Sequence, residues 1–591
     1  MDIAVKAMTA VILFLGSVAV LAGRLGFGST YAQLSLLAVL IIATVSYIGL
    51  IRPPAGIGLG MLAFVYLVLA LPTIYAPGVP GIDVWSYLGT TKFILEHGWQ
   101  FDTLIVDPNS NLFPGNQFHG AILVHVLDIP LFDVAAFQPH ALKLSALLCV
   151  YILGRRAGLT VTYALVPPTL LVAYTVFATY PPYHHITAGF SLKFLTYFCL
   201  LYFLISTQHK RAGVVFTVAF LGLLVSHQLS TIHIAIICGV TLAFAAYYYL
   251  STHDHPPLRP LYFDGNQLRY VSVLLVLFGV LLLWYYVTVG EVYFRRAFIN
   301  HIIGGVGGPS NPDPFLVSRL TYHESGSFLE RVSQLAYPVR HQYSPIAAVG
   351  FFSLLFAGVV IYRSRIVTHS LHPRELARIY PLEIMLSAWG LAIFMTRFFP
   401  FLGLGFWGGS PRLAISAVPL VAIAALCCLQ RVGVANLPDR IRRVGVSSVA
   451  FIVVLFIFVS VSLYPAYFFA VEDSAGLYGN RQVYTDEHQL QTYEFIDDGT
   501  VSASDTEGFY YRGYRYDDDI TPIRGEYPFA GEIEPDSGLY LIWQDSFYDF
   551  IPTRSQHQYG VPEEIHAQYG QEWNRIYSTD TTEIYDADGS F

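Results

Sequence analysis

At 591 residues, 54% hydrophobic and only 13% charged, the chain is too apolar for an ordinary soluble protein and reads as an integral membrane protein. The net charge of −8 is unevenly placed. Val471 to Phe591 holds 25 Asp and Glu against 6 Arg and no Lys, which leaves 16 acids and 27 bases for the first 470 residues. An apolar body with an acidic soluble tail follows, and no nucleic-acid partner is expected.

In chain order, apolar runs long enough to cross ~30 Å of hydrocarbon fall near 3–22, 34–51, 57–75, 138–153, 160–179, 187–206, 270–290, 344–362, 380–400, 411–430 and 446–469. The first follows Lys6 and has the look of a signal peptide. No small-residue cleavage site precedes polar sequence, however, so it is read as a span. The run 213–249 is too long for one span, and His227-Gln228-Leu229-Ser230 at its middle predicts two helices meeting at a polar tip. Two helices there bring the expected total to about 13. All five cysteines (Cys149, Cys199, Cys238, Cys427, Cys428) lie in these runs and read as small core residues.

The basic residues set an orientation. Arg52, Arg155, Arg156, Arg211, Arg363 and Arg431 all sit in loops on one side, which the positive-inside rule makes cytoplasmic together with the N-terminus. The loops 76–137 and 291–343, the tip at His227 and the tail then face outward. A transmembrane domain over 1–469 is expected, followed by an extracytoplasmic domain over 470–591. The tail alternates short β-prone runs such as Gly538 to Trp543 with acidic turns such as Asp517-Asp518-Asp519, and reads as an α/β or mostly β soluble domain. Its preference for acids over Lys suits a high-salt habitat.

The first outer loop carries the chemistry. Ile82-Asp83-Val84-Trp85-Ser86-Tyr87 ends a Pro- and Gly-rich approach and opens a predicted helix running to Gly98, with Asp83 at its N-cap. Ile82, Trp85, Leu88, Phe93, Ile94 and Leu95 make an apolar face suited to the membrane interface. An ionisable group at a bilayer boundary is a functional candidate by default. A turn-dense segment, Asp107 to Gly120, leads back toward the membrane.

The pattern Asp83-x-Trp85, Lys92 seven residues past the Trp and Gly98 six later resembles the first external loop of the oligosaccharyltransferase catalytic subunit. Phe113-Pro114-Gly115 with His119-Gly120 resembles a later stretch of that loop. Ser410-Pro411-Arg412-Leu413 to Pro419 is similar to its Arg-led penultimate helix. The resemblance implies a GT-C glycosyltransferase, a polytopic α-helical membrane protein of about 13 helices with an external C-terminal domain, from an archaeal source. It does not extend to the family's second external loop, which reads Tyr180-Pro181-Pro182-Tyr183-His184-His185 here in place of Asp-x-Asp, nor to a Trp-Trp-Asp-Tyr-Gly motif in the tail. The variant without those features uses a monosaccharide on a polyprenyl monophosphate and needs one carboxylate base.

Inverting transfer requires a base for the acceptor hydroxyl and cationic or polar groups for the departing phosphate. The resemblance assigns Asp83 as base and Arg412 to the donor phosphate, with Lys92 placed like the family's lysine. His227 and Gln228, at the polar tip, join the donor-phosphate set. Trp85, Tyr87, His119, His184, His185 and Glu324 are acceptor or loop candidates. Each also has a plain structural reading: a helix cap for Asp83, snorkelling for Arg412, an aromatic belt for the tyrosines around His184 and His185. A divalent metal is compatible with the histidines. Gly304-Gly305-Val306-Gly307-Gly308-Pro309 lacks the Lys-Ser/Thr of a phosphate loop and reads as a mobile linker. The expected partners are a polyprenyl (dolichyl) phosphate-linked sugar, a glycan, lipid or protein acceptor, and the bilayer. A transporter or flippase of lipid-linked sugars and a non-catalytic subunit are the competing readings.

Overall fold

The computed structural model describes residues 2–24, parts of 36–48, 53–74, 82–98, 114–173, 183, 185–206, 208–252, most of 269–281, 344–363, 380–396, 415–432 and the C-terminal strands. Its helices are α1 (Asp2–Arg24), α2 (Ala55–Ile74), α3 (Ile82–His97), α4 (Gly115–Leu127), α5 (Leu131–Arg156), α6 (Val161–Ala173), α7 (His185–Ile205), α8 (His209–Leu224), α9 (Gln228–Thr252), α10 (Ser344–Arg363), α11 (Pro381–Met395) and α12 (Ala417–Val432). Three stretches, Leu131–Arg156, Thr187–Ile205 and Ser230–Tyr248, are long and apolar enough to cross a membrane, and several shorter apolar helices accompany them. The described chain is therefore mostly helical, as a polytopic membrane protein requires. The apolar run 446–469, the loop 291–343 and Gly304 to Pro309 lie outside the described residues.

The chain divides into two compact units. One comprises 1–69, 142–178 and 189–465, and the other 70–141, 179–188 and 466–591.

In the first unit, α12 packs against α11, α10 and α6. Between apolar helices in lipid, close van der Waals contact replaces the hydrophobic effect, and small residues permit it. Ala417, Ala422, Ala424 and Ala425 of α12 are all fully buried. A Cβ on Gly390 of α11 would collide with Val421, so these two helices approach at backbone distance. Trp389 donates from Nε1 to Thr241 Oγ1 at 2.9 Å, tying α11 to α9. The turn after α5 is closed by Gly158 at φ +101°, a left-handed conformation that suits glycine. The end of α12 pins it, since Gln430 accepts from Thr160 N–H at 2.8 Å and donates to Gly158 O at 3.1 Å. Cys149 is half-buried and the other four cysteines are buried, all of them free, as expected.

The long run 213–249 breaks where the polar tip predicted, with α8 ending at Leu224 and α9 beginning at Gln228. Glu383, in the first turn of α11 and fully buried, pairs with Arg431 of α12 at 2.5 Å, and Arg431 also lies 5.8 Å from the Tyr380 ring centroid.

In the second unit α3 packs on α4. The tail forms a five-stranded mixed sheet from β1 (Val501–Ser504), β2 (Ile520–Ile523), β3 (Leu539–Trp543), β6 (Asn574–Ser578) and β7 (Thr582–Asp586), in the order β2-β1-β3-β7-β6. β1 runs parallel to β2 and β3, while β7 is antiparallel to β3 and β6. Pro522 falls in the edge strand β2, where a missing N–H breaks no interior ladder. A separate two-stranded pair joins β4 (Ile551–Pro552) and β5 (Gln558–Tyr559).

Candidate functional site

α3 starts at Ile82, so Asp83 falls in its first turn and not at the N-cap that the sequence implied. The helix stops at Gly98, whose φ of +75° and N–H to Ile94 O at 3.0 Å make a glycine C-cap. The buried stripe is Val84, Tyr87, Leu88 and Thr91 at i, i+3, i+4 and i+7, whereas Phe93, Ile94 and Leu95 are half-buried. Of the predicted apolar face, Leu88 belongs to this stripe. By helical spacing position 83 shares a face with positions 87 and 90.

Two polar residues make that stripe possible. Thr91 Oγ1 donates to Tyr87 O at 2.7 Å, which leaves its lone pairs to accept from the Tyr183 hydroxyl at 2.9 Å. Tyr183 is fully buried, and burial pushes its phenol up, only partly offset by the bond to Thr91. It is thus a core residue, not a member of an aromatic belt. Gly120 of α4 makes room for it, because a Cβ there would run into the Tyr183 hydroxyl. Thr91, Tyr183 and Gly120 lock α3, α4 and the segment before α7 into one arrangement within this unit.

His119 projects from α4 with one side exposed. Its Nδ1 accepts from Gln138 Nε2 at 2.8 Å, which fixes the neutral ring with the proton on Nε2, and burial of the other side lowers its pKa. Gln138 Nε2 also reaches Asn116 Oδ1 at 3.1 Å. Lys92 is half-buried on α3, and Tyr87 is buried in the stripe. Trp85 lies in the first turn of α3, His185 begins α7 and Gln228 begins α9. His184, Glu324 and Arg412 lie outside the described residues.

His227 lies between α8 and α9. Its side chain is 2% exposed. Nδ1 accepts from Ser230 N–H at 3.2 Å and lies 2.8 Å from Ser230 Oγ, so the imidazole caps the start of α9. The absence of a Cβ on Gly189 lets α7 approach the ring, since a methyl there would collide with it. Packing against α7 leaves no open polar tip at this residue.

The sequence reading missed the buried Lys193, His233 and Thr396. Lys193 is fully buried, with Nζ 3.4 Å from His233 Nδ1 and 5.1 Å from the Phe190 ring centroid. His233 Nε2 lies 3.3 Å from Thr396 Oγ1. The signal was present, because a lysine in the middle of an apolar run is expensive in lipid and marks function by default. Lys143, mid-way along α5, is buried as well. These two lysines lie inside apolar runs and are buried. Among the described residues no three His, Cys, Asp or Glu converge in a way that would hold a metal.

No protein-family model matches the chain, and no curated protein matches it. Solved structures do. The oligosaccharyltransferase of Archaeoglobus fulgidus in its apo form is 13% identical with a TM-score of 0.40, over 83% of this chain and 64% of that one, so the chain spans somewhat under two thirds of that protein's length. The same archaeal enzyme, AglB, in complex with an inhibitory peptide and a dolichol-phosphate matches at 13% identity and TM-score 0.39, over 81% and 63%. ArnT from Cupriavidus metallidurans bound to undecaprenyl phosphate matches at 12% identity and TM-score 0.46, over 90% and 98%.

Proposed function

We propose that this chain is an inverting membrane glycosyltransferase that moves a sugar from a polyprenyl (dolichyl) phosphate to a glycan, lipid or protein acceptor on the external membrane face. The observation that carries this reading is α3. Its start at Ile82 puts Asp83 in the first turn of a helix that is held in place by the buried Thr91–Tyr183 bond. A carboxylate on a helix held by buried side-chain bonds is the kind of preorganised base that transfer chemistry needs.

In the reaction Asp83 takes the acceptor hydroxyl proton. The acceptor oxygen forms its bond to the anomeric carbon from the face opposite the phosphate. The bond from that carbon to the phosphate oxygen breaks, and its electron pair leaves with the polyprenyl phosphate. Positive or hydrogen-bonding groups hold that phosphate as its charge grows. Arg412, Lys92 and Gln228 are proposed for this. The capping bond at Nδ1 leaves His227 only its Nε2 side for such a role. The outward orientation, the 13 spans, the division at 469 and the roles of Trp85, Tyr87, His119, His184, His185 and Glu324 are parts of the same proposal.

The buried Lys143 and Lys193 favour a second reading, a transporter or flippase of lipid-linked sugars, because such proteins place ionisable groups at mid-membrane. The surface-glycan mass profile of a deletion strain, complemented with wild type or Asp83→Asn, separates the two. The transferase reading expects a glycan shortened by one defined sugar that wild type restores and Asp83→Asn does not. Restoration by Asp83→Asn would return the carboxylate to a structural role and favour transport.

A further inference from the structure

Within the second unit, α4 and α5 are joined by three polar side chains whose hydrogen-bond directions are fixed by their chemistry. Gln138 Nε2 faces only acceptors: His119 Nδ1 at 2.8 Å, Asn116 Oδ1 at 3.1 Å and Asn116 O at 3.5 Å. An amide nitrogen carries two protons, and the two nearer atoms take them. Turning the Gln138 amide over alone would set acceptor against acceptor, and turning Asn116 over alone would set donor against donor. This orientation leaves Gln138 Oε1 and Asn116 Nδ2 without a hydrogen-bond partner among the described residues. Gln138 is 0% and Asn116 2% exposed, so each orphaned atom carries a desolvation cost.

His119 is the titratable member, and its ring reaches the surface. A proton added at Nδ1 points straight at the Gln138 amide protons. Turning both amides over removes that conflict and uses the two orphans. Nδ1–H then donates to Gln138 Oε1, and Asn116 Nδ2 donates to the same oxygen. Each arrangement makes two side-chain bonds and leaves one amide oxygen and one amide nitrogen unpartnered, so the number of bonds favours neither. Asn116 O opposes the turned arrangement, because Gln138 Oε1 would replace Nε2 in front of it. The imidazolium favours it, since a charge-assisted hydrogen bond is roughly twice as strong as a neutral one. The charge on His119 therefore selects between the two.

We propose that His119, Gln138 and Asn116 form a pH-sensitive hydrogen-bond switch between α4 and α5, in which protonation of His119 turns the Gln138 amide over and Asn116 follows. The described titratable groups on the elements around it are Tyr87, Lys92, Glu96 and His97 of α3, His125 of α4, Asp128 in the turn, Asp133 and His140 of α5, and Tyr183. Burial lowers the His119 pKa, and no charge among these groups adds to the effect. The neutral arrangement therefore holds at and above the ordinary value of 6.5, and the turned one forms on the acid side of it. The switch also reaches α3. His119 precedes Gly120, whose missing Cβ admits the Tyr183 hydroxyl that bonds Thr91. The proton thus acts one residue from the contact that holds α3 against α4.

The test is solid-state NMR of the purified full chain in bilayers, with isotope labels on the His ring nitrogens and on Cδ and Nε2 of Gln. Samples are compared from about pH 8 to about pH 4. At neutral pH the 2.8 Å approach of Gln138 Nε2 to His119 Nδ1 gives a nitrogen–nitrogen dipolar contact, and Gln138 Cδ gives a carbon–nitrogen contact to the same atom. When His119 protonates, the Nε2 contact is expected to vanish while the Cδ contact persists, and neutralisation is expected to restore both. Loss of both contacts overturns the switch, since the charged ring has then swung out into water. Persistence of both overturns it as well, because the amide has not turned. A His119 ring that stays neutral until the helices unfold, read by circular dichroism on the same samples, also overturns it. His119→Gln, in which both contacts disappear, identifies the pair. Should that variant fail to fold, Gln138→Met removes the same two contacts and serves instead. None of these outcomes depends on whether the protein transfers a sugar.

Discussion

Thr91 shows how a polar side chain can set the position of a helix. Its hydroxyl satisfies Tyr87 O within α3 and receives the Tyr183 hydroxyl from another segment, so neither buried group is orphaned. Tyr183→Phe removes one buried bond while leaving Thr91 its own, and is expected to lower stability by about 1 kcal/mol. Gly120→Ala forces a methyl against the same hydroxyl and should lower it by more, about 1–3 kcal/mol. Thermal unfolding in detergent checks both, and equal effects would contradict the close packing. His119 gives a pH dependence with a definite sign. Its folded pKa is lowered, so stability from the neutral ring is fully present above the unfolded value of about 6.5 and is lost as pH falls toward the folded pKa. The protection factors of α4 in hydrogen exchange, which remove the intrinsic slowing of exchange in acid, are expected to fall on acidification below that value and to lose this dependence in His119→Gln. These residues were poorly legible in the sequence. Thr91 and Tyr183 look like a neutral helix position and an interfacial aromatic until the contact that joins them is seen. Lys193 stands in the sequence as a lone charge in the apolar run 187–206.

At the scale of elements, punctuation carried the sequence reading. The Pro- and Gly-rich approach placed the start of α3 to within two residues, and His227 placed the break between α8 and α9. The β-prone run at Gly538 to Trp543 became β3. What spacing does not encode is which helices meet. Glu383 and Arg431 are 48 residues apart, and the sequence reading took Arg431 alone, as a cytoplasmic base, yet the two form a buried pair across α11 and α12. Removing one partner strands a buried charge, so Arg431→Met is expected to destabilise by about 3–5 kcal/mol. The double variant Glu383→Gln with Arg431→Met should recover most of that loss. Denaturation of the three proteins in detergent tests this, and an additive double variant would show that the two side chains act independently. The parallel pairing of β1 with β2 and β3 was likewise not legible, because it depends on crossovers through 505–519 and 524–538 with no periodic signal.

For the whole molecule, composition and charge bias led to a membrane protein, and the described chain agrees in being mostly helical with several apolar helices. The central claim is that Asp83 is the base of an inverting sugar transfer. It is tested most directly by purified wild type and Asp83→Asn supplied with a polyprenyl-phosphate-linked sugar and a membrane-glycan acceptor fraction, with the rate of sugar transfer measured alongside donor binding. The account predicts that Asp83→Asn binds donor as wild type does and transfers about 10²- to 10⁴-fold more slowly. Transfer by Asp83→Asn at the wild-type rate would contradict it.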